Sequence, residues 1–536
     1  MSRLPAALAG LALAAGAVAV AFTWQPGIAS LFDDSVSYLV MAQAFSPWQP
    51  ASPAIVAAFP LEKYPPLFPL LLAWGGGAYD WRIAHAWVAL SFGASVFLLG
   101  LLARDAAKSA AIGFACALVY AWMPGAWLNV KGILSEFPYL ALALAALLVH
   151  RRFAQRPDLA RAAGLGVLLA AVFLTRTIGV ALAAAIGLVE LAHRVRGGDR
   201  NRFRGALVAM AIAALSGALW YALRPSGGDD AYASFGAGMA RGAAEHGADW
   251  TGAIVANNLS ALADAWLTAL LIFWGEPWKP AFLLAALAGA SGVAGTLWRA
   301  AKLEADAIYV AIFAAILAVW PFPGQMYRLA LPAIPLVAMN AFWLWQRLLV
   351  LRMQAPRAAR WSALAAVLPL SVCIPAALFY IAGRAGLPAP ELAAGYRMTD
   401  IADFYRIPSR PAAEANALLQ IGVLADLDQV RRTTPAEASV MWVVPSYVAL
   451  LAGRRGVRLD RPADAAGLRA QVAAKRPDYL YLTGVHPRDT AHREGDPMAS
   501  AAAARELGSV EWARPNAAGG VDALLVRIDA ARVLAQ

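Results

Sequence analysis

Two adjacent acids, Asp33 and Asp34, stand in the stretch SLFDDSVSYLVMAQAF, directly behind a long apolar run. A carboxylate beside hydrocarbon is costly, and so are the cations in similar settings. Lys63, Arg82, Lys131, Arg176 and Arg328 each lie within or against apolar segments, as does Glu136. An ionisable group at the middle of a membrane helix costs roughly 2.5–3.5 kcal/mol on insertion scales, so a set of them points to a polar site. Guanidinium and ammonium groups gathered together suit a phosphate or diphosphate. A carboxylate beside them suits a base that takes a proton from a hydroxyl. Because a phosphate departs already ionised, displacing it needs cations and a base but no general acid. Such a set fits glycosyl transfer from a lipid-linked sugar to a hydroxyl.

These side chains need a scaffold that brings distant segments together. The chain has 536 residues, of which 60% are hydrophobic and only 15% charged. One or two soluble cores cannot hide that much apolar surface. Repeated apolar segments of roughly 17–25 residues, each long enough to cross a bilayer, account for the excess. The expected fold class is therefore a polytopic α-helical membrane protein with a C-terminal α/β domain. About eleven transmembrane helices are expected, at 5–24, 83–103, 108–124, 134–150, 162–174, 176–193, 205–223, 279–298, 307–322, 328–350 and 361–382. The first could pass for a signal peptide and is read as a retained helix.

The net charge of +11 is concentrated in alternate short loops. These hold Arg104 and Lys108, then Arg151, Arg152, Arg156 and Arg161, then Arg194, Arg196, Arg200, Arg202 and Arg204. Arg299 with Lys302, and Arg347, Arg352, Arg357 and Arg360, continue the series. That bias fixes these loops and the N-terminus in the cytoplasm, so topology explains the basic excess and no nucleic-acid partner is expected. The longer loops 25–82 and 224–278 then lie outside, although the apolar end of the second, ADAWLTALLIFWGEPW, has the makings of a further span. The expected domains are a transmembrane region over 1–383 and an α/β domain over 384–536. In the latter, ASVMWVVP, PDYLYLTG and VDALLVRI read as strands, and PADAAGLRAQVAAKR as a helix between them.

The order of these motifs resembles the GT-C-type glycosyltransferases that use polyprenyl-phosphate sugars, a group with protein O-mannosyltransferases and lipid A aminoarabinose transferases among its members. DDSVSYLVMA is similar to their acidic signature after the first helix, and KYPPLFPLLLAW to their Lys/Tyr-Pro-Pro segment. KGILSEFPYLAL resembles their Ser-Glu segment, FLTRTIG their Thr-Lys/Arg turn, and MYRLALPAIPL their Arg-x-x-x-Pro-x-x-Pro segment. The resemblance implies a bacterial inner-membrane enzyme with its C-terminal domain in the periplasm. It would move a sugar, with inversion, from a polyprenyl-phosphate carrier to a lipid, glycan or protein acceptor. By position, Asp34 stands four residues before Tyr38 and takes the place of the leading acid, with Asp33 an extra acid that keeps the choice of base open. The resemblance gives Lys63, Lys131, Arg176 and Arg328 to the donor phosphate, and Glu136 to the acceptor or a metal ion. Tyr38, Tyr64 and Tyr327 become candidate lining residues. Some members of the group use a divalent metal ion, and the residues leave that requirement open.

Plainer roles compete for each residue. Asp33 and Asp34 suit a helix N-cap, Glu136 suits the positive end of a helix dipole, and Lys131 or Arg176 alone suits snorkelling to headgroups. The tryptophans read mostly as an interfacial belt. Cys116 and Cys373 fall inside apolar segments, and the six histidines are scattered without metal spacing. A transporter or flippase for lipid-linked sugars is the competing functional class. The odd number of expected spans and the lack of an internal repeat weigh against it.

Overall fold

A computed structural model describes residues 4–28, 34–62, 64–224, 231–271, 279–385, 410–460, 464–483, 501–515 and 520–534. Asp33 and Lys63 lie outside the described residues. The helices are α1 (Leu4–Thr23), α2 (Ser35–Ala44), α3 (Pro53–Ala58), α4 (Leu67–Trp74), α5 (Trp81–Ala107) and α6 (Ala110–Ala121). They continue as α7 (Pro124–Val130), α8 (Glu136–Gln155), α9 (Leu159–Thr175), α10 (Val180–Val195), α11 (Arg200–Leu223) and α12 (Ala231–Leu271). The bundle closes with α13 (Lys279–Ala301), α14 (Ala305–Ala318), α15 (Met326–Leu329), α16 (Ile334–Val350), α17 (Ala355–Leu364) and α18 (Val367–Ala385).

Short polar residues open many of these helices. Asp80, Ser109, Asp158 and Asp199 each accept a hydrogen bond from a backbone N–H of the helix that follows, satisfying a donor the first turn would otherwise leave orphaned. Among the described residues, eight helices are long and apolar enough to cross a membrane, or ten if each of two bent pairs is one span. About eleven were expected, and the difference has local causes. The expected spans 162–174 and 307–322 correspond to helices of 17 and 14 residues, Leu159–Thr175 and Ala305–Ala318, too short to pass that test. The segment 224–278, expected as a loop whose apolar end has the makings of a further span, carries a candidate span, Gly236–Leu271. It is broken at Gly247, whose φ of 74° favours a residue without Cβ.

The two bent pairs are α6 with α7, at 53°, and the short turn Pro323–Leu329 with α16, at 66°. Prolines sit at the first turn of both second helices, Pro124 and Pro335, where a missing N–H costs nothing and a continuing helix would clash. Two seams of the bundle close on glycine. A Cβ at Gly93 of α5 would lie 2.7 Å from the Ala12 carbonyl of α1, and one at Gly295 of α13 would lie 2.3 Å from the Asn340 carbonyl of α16.

The 27 residues of α5 span about 40 Å at 1.5 Å per residue and separate two unlike ends. At one end the basic loops gather: Arg151 donates to the Leu102 carbonyl (3.1 Å) and to Asp306 (3.2 Å), and Arg299 binds both oxygens of Asp306 at 2.8 Å. At the other end His85 of α5 hydrogen-bonds the Gly27 carbonyl at 2.9 Å, tying the start of α5 to the segment that precedes Asp34.

After α18, which ends just past the expected domain boundary, the described chain resumes with α19 (Arg410–Thr433) and a five-stranded sheet. Its strands are β1 (Ser439–Trp442), β2 (Arg455–Arg458), β3 (Tyr479–Thr483), β4 (Gly508–Pro515) and β5 (Val521–Ile528), in the order β2-β1-β3-β5-β4. β1 is parallel to both neighbours, and β5 is antiparallel to β3 and β4. Every residue of β1 and β3 is buried, as befits central strands covered on both faces. Tyr481 of β3 donates to Asp426 of α19 at 2.7 Å, and Arg514 of β4 holds the same carboxylate through two contacts at 3.0 Å. This network pins α19 to the sheet.

Candidate functional site

The residues of interest lie where helices start, stop or break. Asp34 occupies the N-cap position of α2, yet its side chain caps nothing. Its two carboxylate oxygens are taken instead by partners from other elements. Tyr64 donates to Oδ1 at 2.6 Å and Arg328 Nη2 donates to Oδ2 at 2.9 Å. The capping account of Asp34 therefore fails, and the acid is aimed inward by residues from two distant segments.

Ser35, the next residue, accepts from the Ile133 N–H at 3.2 Å. This ties the start of α2 to the break between α7 and α8. Lys131 lies in that break as the C-terminal cap of α7 and is buried, 7% exposed. Ser135 and Glu136 close the break. The Ser135 hydroxyl meets Tyr38 OH at 2.8 Å and accepts from Arg176 at 3.1 Å. Glu136, 1% exposed, stands in the first turn of α8, where the dipole favours a carboxylate. Its Oε1 is ion-paired with Arg176 Nη1 at 2.8 Å and Arg328 Nε at 3.4 Å. Neither oxygen has an aligned hydrogen bond, so the attraction is that of charge rather than of directed donors.

Arg176 is the extended residue between α9 and the 3-10 turn Thr177–Gly179, with φ −150° and ψ 132°. That break, visible as FLTRTIG, turns its guanidinium toward α8. Arg328 lies on α15, a single turn between the 3-10 turn Pro323–Gln325 and α16, and also donates to Gln325 at 3.2 Å. Asn258 of α12 steadies the approach to this turn, donating to the Ala318 and Trp320 carbonyls at 2.9 and 2.7 Å.

The contacts close into a ring: Asp34, Arg328, Glu136, Arg176, Ser135 and Tyr38, with Tyr64 spanning from Asp34 to the Tyr38 ring at 4.9 Å between centroids. Phe68 of α4 backs Tyr38 edge-on at 5.0 Å. Burial pushes the Tyr38 phenol well above its ordinary range; Arg176 opposes that shift, while Asp34 and Glu136 add to it. Tyr38 therefore remains a protonated hydrogen-bonding group. The ring sets two guanidiniums against two carboxylates, and Lys131 lies buried in the adjoining break between α7 and α8.

Of the sequence candidates, Asp34, Glu136, Arg176, Arg328, Tyr38 and Tyr64 are brought together. Tyr327 is half-buried beside Arg328 on α15. Glu136, expected to position an acceptor or a metal ion, joins the two arginines. Among the described residues, no group of three or more His, Cys, Asp or Glu could hold a metal ion. Asp34 and Glu136 both face Arg328. Sequence reasoning missed Ser135 and Gln325 as contacts, although each stands within three residues of a flagged charge. It also missed Glu62, 9% exposed, which accepts a hydrogen bond from Ser446 of the C-terminal region.

No protein-family model and no curated protein matches this sequence. Solved structures do resemble it. ArnT from Cupriavidus metallidurans bound to undecaprenyl phosphate is 14% identical, with 98% of each chain covered and a TM-score of 0.50. The oligosaccharyltransferase AglB from Archaeoglobus fulgidus, in complex with an inhibitory peptide and a dolichol-phosphate, is 11% identical. There the match covers 97% of this chain and 74% of AglB, with a TM-score of 0.51. The chain shares their fold, the GT-C fold, along nearly its whole length.

Proposed function

We propose that this chain is a membrane glycosyltransferase that moves a sugar from a polyprenyl-phosphate carrier to a hydroxyl acceptor, with inversion. The observation that carries the reading is the Asp34 carboxylate, held by Tyr64 and Arg328 and linked through Glu136 to Arg176. In the reaction, the acceptor oxygen attacks the anomeric carbon as the bond from that carbon to the phosphate oxygen breaks. The electron pair of that bond leaves with the polyprenyl phosphate. Asp34 receives the hydroxyl proton on a lone pair not used by Tyr64 or Arg328.

Arg176 and Lys131, with Lys63 from the adjoining loop, offset the charge of the departing phosphate. Arg328 has a second task, because its guanidinium fork reaches both carboxylates and so fixes the base relative to the cations. The likeness to structures holding undecaprenyl phosphate and dolichol-phosphate supports a lipid-phosphate donor. The basic loops at the opposite end of the bundle support a cytoplasmic N-terminus and a catalytic side facing the periplasm across a bacterial inner membrane. The C-terminal domain then lies on that same side.

The test is transfer by the purified chain from undecaprenyl-phosphate sugars to candidate acceptors, followed by mass spectrometry. Activity should vanish in Asp34→Asn and persist in Asp33→Asn. Loss confined to Asp33→Asn would move the base by one residue. Lipid movement across vesicles without a glycosylated product would replace the enzyme reading with a flippase.

A further inference from the structure

A buried polar contact joins the C-terminal domain to the segment that precedes Tyr64. The Ser446 hydroxyl donates to Glu62 Oε1, although the two residues are 384 positions apart. Both are buried, Ser446 at 4% and Glu62 at 9% exposure. A carboxylate is taken out of water only at a cost unless a donor meets it, and here that donor comes from another domain. Two residues further along, Tyr64 holds Asp34.

The surroundings make this contact stiff. Ser446 lies on the helical turn Pro445–Tyr447, which packs with the π-helical turn Val448–Ala452 against α2 and α3. Ala54, Ile55 and Ala58 of α3, and Tyr447 and Val448 of the domain, are all buried there. Behind the turn, β2 presses its backbone close: a Cβ at Gly456 would lie 2.2 Å from the Pro445 carbonyl. The sheet thus backs Pro445, Pro445 fixes Ser446, and Ser446 holds Glu62.

We propose that the C-terminal domain positions the Tyr64–Asp34 pair through the Ser446–Glu62 hydrogen bond, making Ser446 and Glu62 positioning residues for transfer. The inference rests on the glycosyltransferase reading for its catalytic consequence, but the mechanical link can be read without any substrate. Hydrogen exchange on the full-length chain in detergent measures the amides of Glu62 and Tyr64. Ser446→Ala should speed their exchange about tenfold, and Ser446→Thr, which keeps the hydroxyl, should restore the native rate.

In the transfer assay, with whichever undecaprenyl-phosphate hexose or pentose is turned over, Ser446→Ala should lower kcat about tenfold. The donor KM should stay within about twofold, because the cations that bind phosphate are untouched. Glu62→Ala should reproduce both effects and Glu62→Gln, which keeps an accepting oxygen, should not. Those two variants carry the test if Ser446→Ala fails to fold. Unchanged exchange in Ser446→Ala and Glu62→Ala overturns the proposal, as does equal damage from Ser446→Thr and Ser446→Ala. Faster exchange in a chain that transfers no sugar leaves the link standing and removes the glycosyltransferase reading instead.

Discussion

Asp34 and Arg328 lie 294 positions apart in the chain and meet at 2.9 Å, with the same guanidinium also reaching Glu136 at 3.4 Å. One side chain on a single helical turn therefore sets the distance between the carboxylate beside α2 and the carboxylate that opens α8.

An ammonium cannot repeat that geometry. Lysine at position 328 presents one compact charge in place of a planar fork and reaches one carboxylate at a time. Arg328→Lys should lower kcat about a hundredfold, comparable to the loss of one preorganised electrostatic group, and Arg328→Gln should lower it further. Steady-state transfer rates check this. Full activity in the lysine variant would mean that the two-carboxylate bridge does not matter to the reaction.

Tyr64 and Asp34 should separate by magnitude. On the proposed mechanism Asp34→Asn removes the base and is expected to cost about 10²–10⁴ in kcat. Tyr64→Phe removes one hydrogen bond to a carboxylate that stays in place, for a loss of about tenfold. Parallel assays of both variants decide the ranking, and a larger loss in Tyr64→Phe would transfer the proton-handling role to the tyrosine.

Glu136 is expected to act on the fold as much as on the chemistry. Glu136→Ala leaves buried Arg328 and half-buried Arg176 without their shared counter-charge, and removing one partner of a buried pair costs about 3–5 kcal/mol. Thermal unfolding in detergent should show a clear drop. Glu136→Gln should behave similarly, since the amide keeps the shape but not the charge. A melting temperature unchanged in both would show that solvent already relieves the two arginines.

The C-terminal domain should carry an alkaline limit to its stability. Burial raises the Tyr481 phenol well above its ordinary value of 10.0, and the facing Asp426 carboxylate adds to the shift. The folded state thus keeps a proton that the unfolded chain gives up. The stability contributed by the neutral phenol is complete below pH 10 and falls as the pH rises beyond it. Tyr481→Phe should flatten that part of the profile, read by chemical unfolding of the full chain between neutral pH and pH 11. An equal slope in both proteins would remove Tyr481 as its cause.

Much of this site could be read from residue types alone. Asp34, Glu136, Arg176 and Arg328 are charges placed where charges are expensive, and that anomaly survives without any knowledge of contacts. So do the strands β1, β3 and β5, whose near-continuous apolar runs suit buried positions. β2 and β4 escaped notice because their exposed, charged residues, such as Arg455 and Glu511, obey no apolar period. Only the apolar end of the helix within 224–278 stood out, because glycines and polar residues lower the hydropathy of its earlier part without preventing a helix. Ser135 and Glu62 were invisible for another reason. A serine or a glutamate beside a turn is ordinary, and only the approach of Arg176 or of Ser446 from far along the chain gives it work to do.

The glycine seams have a bearing on how a long hydrocarbon tail could reach Arg176 and Lys131. Backbone meets backbone at Gly93 and Gly295, so at those two crossings α1 with α5, and α13 with α16, leave no room for an alkyl chain. On the proposed function, an isoprenoid donor entering from the bilayer would thread between other helices, and a bulky residue set into that doorway would cut transfer while leaving every charged group intact.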